Sequence, residues 1–208
     1  MKIEERRKLE QEKYLKLFSK EGYGSVNHGK PALPFIAERF NESQDDWEDV
    51  SFWKNLLDVG CGAGTFCLQN EKYPYEEIIG MDFASIPEEG IDYSKQIKFI
   101  RGDALNIPYA DNYFELITSF DVLEHLLPED VGFALNELKR VCSGEMLLKP
   151  AYRESHAKGV EGEDLHPTVK PESWWIEMIE KTGVQSVNVI ERWYDEDGVR
   201  SSLIHVVV

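Results

Sequence analysis

Apolar residues in this chain fall into short runs with two different periods. Five compact runs near 55–60, 77–82, 96–101, 114–119 and 144–149 are bounded by turn residues and read as buried strands. Two further strands are predicted near 185–193 and 200–208, joined by an acidic turn from Asp195 to Gly198. A helical period replaces the strand pattern from Glu129 to Val141, where Val131, Ala134, Leu135 and Leu138 share one face. Another helix is predicted to open with Pro171 in its first position, continue through Trp174, Trp175, Met178 and Ile179, and stop at Gly183. Its adjacent tryptophans cannot both face the same side, so one belongs to the core and the other roofs a pocket or marks a contact surface.

Residues 1–20 alternate charge with Ile3, Leu9, Tyr14, Leu17 and Phe18, which predicts an amphipathic helix laid over the core or over the site. Residues 21–34 hold Gly22, Gly24, Gly29, Pro31 and Pro34 and read as a loop. Ala32 to Phe40 reads as a helix, Asp45 to Asp49 as an acidic turn, and the stretch from Pro150 to Lys170 as a long polar loop. Strands alternating with helices give an α/β chain, and 208 residues of ordinary apolar content are enough for one core. A single domain is expected over 1–208, with 1–50 as a helical cap and 52–208 as the core.

The most informative run is Leu56-Leu57-Asp58-Val59-Gly60-Cys61-Gly62-Ala63-Gly64-Thr65, a buried strand that breaks into three alternating glycines. Such a turn at the carboxyl end of a strand is where open α/β sheets hold nucleotide-like ligands. The dinucleotide fingerprint needs G-x-G-x-x-G, and Thr65 stands where its third glycine belongs; no Gly-Lys-Ser/Thr of a P-loop follows. Asp58 at the strand end repels a pyrophosphate and suits an ammonium. The segment resembles the first motif of the class I S-adenosylmethionine-dependent methyltransferases, with matches at Asp58, Gly60, Gly62 and Gly64, and Cys61 as a small residue in the turn.

The later runs extend the resemblance. Asp82 ends a second strand about twenty residues on, the spacing at which an acid reaches ribose hydroxyls. After the third strand stands Gly102-Asp103-Ala104-Leu105; in the resembling family an Asp here accepts from the adenine amine, with Ala104 beside it and Leu105 and Phe83 as apolar walls. The stretch from Asp111 to Leu126, ending Phe120-Asp121-Val122-Leu123-Glu124-His125-Leu126, is similar to the fourth-strand region of small-molecule methyltransferases, although Glu115 replaces a usual Asp. The likeness covers roughly residues 52 to 149. It implies a Rossmann-like sheet of seven strands, mostly parallel with the last strand antiparallel and helices on both faces. It also implies S-adenosylmethionine as cofactor, S-adenosylhomocysteine as product, and Phe120 beside the methionine part of the donor.

Charge narrows the acceptor. With 39 acidic against 23 basic residues the formal charge is −16, and the early Arg6, Arg7 and Lys8 alternate with glutamates. Nucleic acid, which needs a basic stripe, is therefore not an expected partner. The three cysteines, Cys61, Cys67 and Cys142, have neither paired nor metal-ligand spacing, so no metal site is expected and a reducing cytoplasm is the default. No apolar segment is long enough to span a membrane. Oligomeric state is open.

Methyl transfer to oxygen or nitrogen needs alignment, exclusion of water and a route for a proton. His125 in Leu-Glu-His-Leu, which reads as the start of a helix, and His166 in Asp164-Leu165-His166-Pro167 are the candidate bases; His28 in its glycine-flanked loop is a third. Glu124 reads as solvated or helix-capping. Tyr152 and Arg153 are placed to line an acceptor pocket, while Lys149 and Arg153 suit an anionic group on the acceptor or a surface role. The expected function is methylation of a small molecule. A cofactor-binding protein without catalysis and a protein methyltransferase stand as alternatives, the latter weakened because Ser119-Phe120-Asp121-Val122 replaces an Asn/Asp-Pro-Pro-Tyr signature.

Overall fold

Alternate residues of the strands choose opposite partners, and this divides the core into two layers. The computed structural model describes residues 3–19, 28–42, 53–84, 87 and 95–208. In β1 (Asn55–Val59), Leu57 and Val59 pack into one cluster and Leu56 into the other. The same division holds for Ile79 and Met81 against Ile78 in β2 (Glu77–Asp82), and for Met146 and Leu148 against Leu147 in β5 (Cys142–Lys149). Both faces of these strands are covered, which is why they read as continuous apolar runs.

The first cluster takes in Val131, Ala134, Leu135 and Leu138 of α4 (Pro128–Val141) and Trp175 and Ile179 of α5 (Glu172–Glu180). The second takes in Ile36 and Phe40 of α2 (Leu33–Glu42) and Phe66 and Cys67 of α3 (Thr65–Asn70). With β3 (Ile97–Arg101), β4 (Phe114–Phe120), β6 (Ser186–Asp195) and β7 (Gly198–Val207), the sheet has seven strands in the order β3-β2-β1-β4-β5-β7-β6. Neighbours are parallel except at β7, which runs antiparallel to both β5 and β6. The expected fold, Rossmann-like with the last strand reversed and helices on both faces, is the fold observed.

Differences lie at element ends. Pro171 has extended backbone and caps α5 from outside, so the helix begins at Glu172. Leu-Glu-His-Leu does not begin a helix: Leu123–His125 form one 3-10 turn, Leu126 returns to extended backbone, and α4 opens at Pro128. The proline supplies the break and restarts the helix, since its missing N–H is no loss in the first turn. Of the paired tryptophans, Trp175 is wholly buried, whereas Trp174 is half-buried at the edge of the same cluster with Lys170 over its ring. The expected acidic turn at 45–49 lies outside the described residues.

The first helix, α1 (Ile3–Phe18), is tied across the carboxyl ends of the strands by polar contacts. Arg6 binds Asp130 at 2.6 Å and Glu129 at 3.2 Å at the start of α4. The Gln11 side chain donates to the Phe83 carbonyl at 2.7 Å, just past β2.

Trp175→Ala should cost about 3–5 kcal/mol, the range for a large aromatic removed from a packed core. Urea unfolding checks this through a lower midpoint with an unchanged slope.

Candidate functional site

The helices after β1 and β4 leave toward opposite faces, and adjacent strands with diverging connections open a crevice at their carboxyl ends. A cavity of about 530 Å³ lies there, within the range of small-molecule sites. Its wall includes Asp58, Gly60, Cys61 and Gly62 from β1 and its turn, Asp82 at the end of β2 and Phe83 after it, and Ala104 after β3. Phe120, Asp121, His125 and His166 close the other side.

The turn needs glycine for two separate reasons. Gly60, Gly62 and Gly64 have φ of 80°, 51° and 72°, in the left-handed region where a Cβ is strained. In addition, a Cβ on Gly60 would lie 2.1 Å from Val122, and one on Gly64 would lie 2.4 Å from Phe99. Gly64 is thus held by packing and does not reach the cavity wall. Asp82 organises the turn from below: Oδ2 accepts from the Gly62 N–H at 3.0 Å, and Oδ1 from the Ala84 N–H at 2.9 Å.

Asp58 is 3% exposed. Thr118, its register partner on β4, donates to Oδ1 at 2.7 Å, and the Cys67 thiol approaches Oδ2 at 3.8 Å. Burial pushes this carboxyl up to about 7, against the opposing pull of those two hydrogen bonds. A group poised in this way is readily ionised by a cation at the cavity wall. Burial also raises the Cys61, Cys67 and Cys142 thiols, all of them free, so they stay protonated.

The structure fills one expected contact with protein. Asp103 does not present a free carboxylate: Arg7 of α1 grips both its oxygens, at 2.7 and 2.6 Å, and the Leu105 N–H takes Oδ1 at 3.0 Å. The same guanidinium lies 4.3 Å from the centre of the Phe83 ring. Arg7, unlike Asp103 and Leu105, lines the cavity.

At the far side, Asp121 adopts φ of 53°, a strained conformation for a residue with a side chain. Contacts from His28 and the Lys149 ammonium hold it there and keep its carboxyl below the usual carboxylate range despite burial. Lys149 is therefore a buried partner, not a surface cation. Tyr152 is also buried, with its hydroxyl on Ser202 in the core, while Arg153 lines the cavity.

Glu124 is neither solvated nor a helix cap. It is fully buried; Oε1 accepts from the Ala151 N–H at 3.0 Å and Oε2 has no partner among the described residues. Burial, and then the charge of Asp121, push its carboxyl up to about 8. His125 Nδ1 lies 2.9 Å from the Tyr14 hydroxyl of α1, and its ring packs edge-on against His166 at 4.7 Å between ring centres. Burial and the neighbouring imidazole push His125 down to about 3. His166 Nδ1 lies 2.7 Å from the Arg153 carbonyl; it donates there, so Nε2 carries the lone pair, and burial lowers this histidine too.

Sequence reasoning missed Arg7, Tyr14, Asp121 and the buried state of Glu124. Arg7 and Asp103 are 96 residues apart, and no local pattern joins them.

Residues 57–146 match the family described as "Methyltransferase domain". Norajmaline N-methyltransferase from Rauvolfia serpentina is 33% identical over 99 residues, 43% of this chain and 32% of that one. Demethylmenaquinone methyltransferase from Staphylococcus carnosus is 34% identical over 91 residues, 41% of this chain and 37% of that one. The chain thus spans about a third of the length of these curated relatives. A solved S-adenosylmethionine-dependent methyltransferase from Mesorhizobium loti superposes with a TM-score of 0.63 at 14% identity, covering 89% of this chain and all of that one, which establishes likeness of fold.

The raised carboxyl of Asp58 gives stability a direction with pH. Its folded value stands above its unfolded one, so its contribution is fully present below about pH 4 and is lost as pH rises through about 7. Asp58→Asn should therefore lose less thermal stability than the parent protein between about pH 5 and about pH 8, read from melting curves across that range.

Proposed function

We infer, for a chain that belongs to the class I S-adenosylmethionine-dependent methyltransferase family, that it transfers a methyl group from S-adenosylmethionine to a small-molecule acceptor. The observation that carries this is the cavity itself: a left-handed glycine turn with two buried acids, Asp58 and Asp82, on its wall at the β1–β4 crevice. The similarity to norajmaline N-methyltransferase and demethylmenaquinone methyltransferase supports small molecules as the acceptor class.

When bound, S-adenosylmethionine supplies an electrophilic methyl on a sulfonium. Asp58 faces its ammonium, where ionising a buried acid of raised pKa is favoured by the cation. Asp82, a carboxylate on the cavity wall, takes the ribose hydroxyls. Gly60, Cys61 and Gly62 let the backbone lie against the ligand, and Ala104 walls the adenine side. Phe120, packed edge-on against Phe66 at 5.0 Å between ring centres, keeps water from the methionine part. His125 and His166 line the acceptor side as neutral rings at pH 7, and the Nε2 lone pair of His166 is left open by its Nδ1 bond to the Arg153 carbonyl.

Arg7 covers Asp103 and Phe83, the groups assigned to the adenine, so α1 acts as a lid that opens to admit the donor. Of the described residues, no helix is long and apolar enough to cross a membrane. Three free thiols support a reducing, cytoplasmic setting.

Calorimetry with S-adenosylmethionine and S-adenosylhomocysteine tests the reading, and a folded protein that binds neither overturns it. Asp82→Ala should weaken donor binding by about 1.5–3 kcal/mol, the scale of hydrogen bonds to a charged group. Arg7→Ala should raise the association rate of the donor several-fold in stopped-flow measurements; an unchanged rate would mean that α1 is not a gate.

A further inference from the structure

Glu124, His125 and His166 each bring one ligand-type atom to within 4.8 Å of the others. The three come from two loops, the turn after β4 and the long loop after β5, so no sequence spacing announces them. The carboxylate of Glu124 is wholly buried, and its Oε2 has no hydrogen-bonding partner among the described residues. An unsatisfied buried carboxyl oxygen costs free energy, which a cation displacing the carboxyl proton would recover. The hydrogen bond from Ala151 to Oε1 orients the carboxylate and leaves Oε2 for another ligand. The Arg153 carbonyl does the same for His166, holding Nδ1–H and directing the Nε2 lone pair away; metal-binding imidazoles are oriented in this manner. His125, held through Nδ1 by Tyr14, stands edge-on to His166.

We propose that Glu124, His125 and His166 form a binding site for one divalent first-row transition cation, on the acceptor side of the cavity. Two imidazole nitrogens and one carboxylate oxygen suit the manganese-to-zinc series better than calcium or magnesium, which prefer all-oxygen shells. Three protein ligands leave coordination positions open, and His125 and His166 line the cavity, so those positions face an incoming acceptor. An oxygen of the acceptor would complete the shell and be polarised there. The site itself stands on the three side chains; its relation to an acceptor rests on the methyl-transfer reading. Lys149 pairs with Asp121 close by, so the cluster is not simply an extension of an acidic surface.

The test uses untagged full-length protein, stripped with a chelator and titrated with cobalt(II), followed by visible absorption and calorimetry. One equivalent should bind and give ligand-field bands typical of nitrogen and oxygen donors. Glu124→Gln and His166→Ala should each lower cobalt affinity about tenfold or more. His166 lies in a loop and is half-exposed, so its variant remains informative if the buried Glu124 variant does not fold. S-adenosylmethionine affinity is measured on the same samples, and His166→Ala should leave it within about twofold of the parent. Absence of cobalt binding to folded protein, or equal affinity in both folded variants, overturns the site. Cobalt binding without donor binding would instead sink the methyl-transfer reading and leave the metal site standing.

Discussion

The pairing of β1 with β4 is the constraint from which the site follows. These parallel neighbours set Asp58 beside Thr118 and send their following helices to opposite faces of the sheet. That divergence opens the crevice, and the hydrogen bond from Thr118 fixes the acid at its wall. A carboxyl so placed is desolvated by the same packing that builds the core, so its raised pKa is a consequence of the fold. The glycine turn then has one path open to it, hemmed by Val122 from β4's loop and Phe99 from β3.

Around this centre the cavity has two dissimilar sides. On the first, backbone and acids meet: Asp82 ties Gly62 and Ala84 into the turn, and Arg7 closes over Asp103 and Phe83. The second is crowded with groups whose charges are strongly perturbed. Asp121 is strained and doubly paired, Glu124 is buried with an open oxygen, and two histidines stand as neutral rings in contact. Perturbed titratable groups gathered at one wall of a cavity mark chemistry more often than stability, because burial of this kind lowers stability unless something binds there.

The N-terminal helix joins the two sides. It reaches α4 through Arg6, Asp103 and the end of β2 through Arg7 and Gln11, and His125 through Tyr14. Its polar contacts lie alongside the buried side chain of Leu17, which is 1% exposed.

What the sequence determined by itself is local. The strand runs, the helix faces, the glycine turn and the acid about twenty residues beyond it are periodicities and spacings, so α/β class and a nucleotide-type crevice are legible from them. Element ends shifted by a residue or two where proline, at 128 and 171, chose between capping and entering a helix. Tertiary structure alone decided which acids are occupied and which are open. Arg7 reaches Asp103 across 96 residues, and Glu124 turns inward on a 3-10 turn where a helix start would have carried it to solvent. The protonation states followed as well, since desolvation and pairing depend on distances that no one-dimensional pattern encodes. A side chain's type and spacing can be read along the chain; whether it is buried, paired or left unsatisfied is settled only when distant segments pack against it.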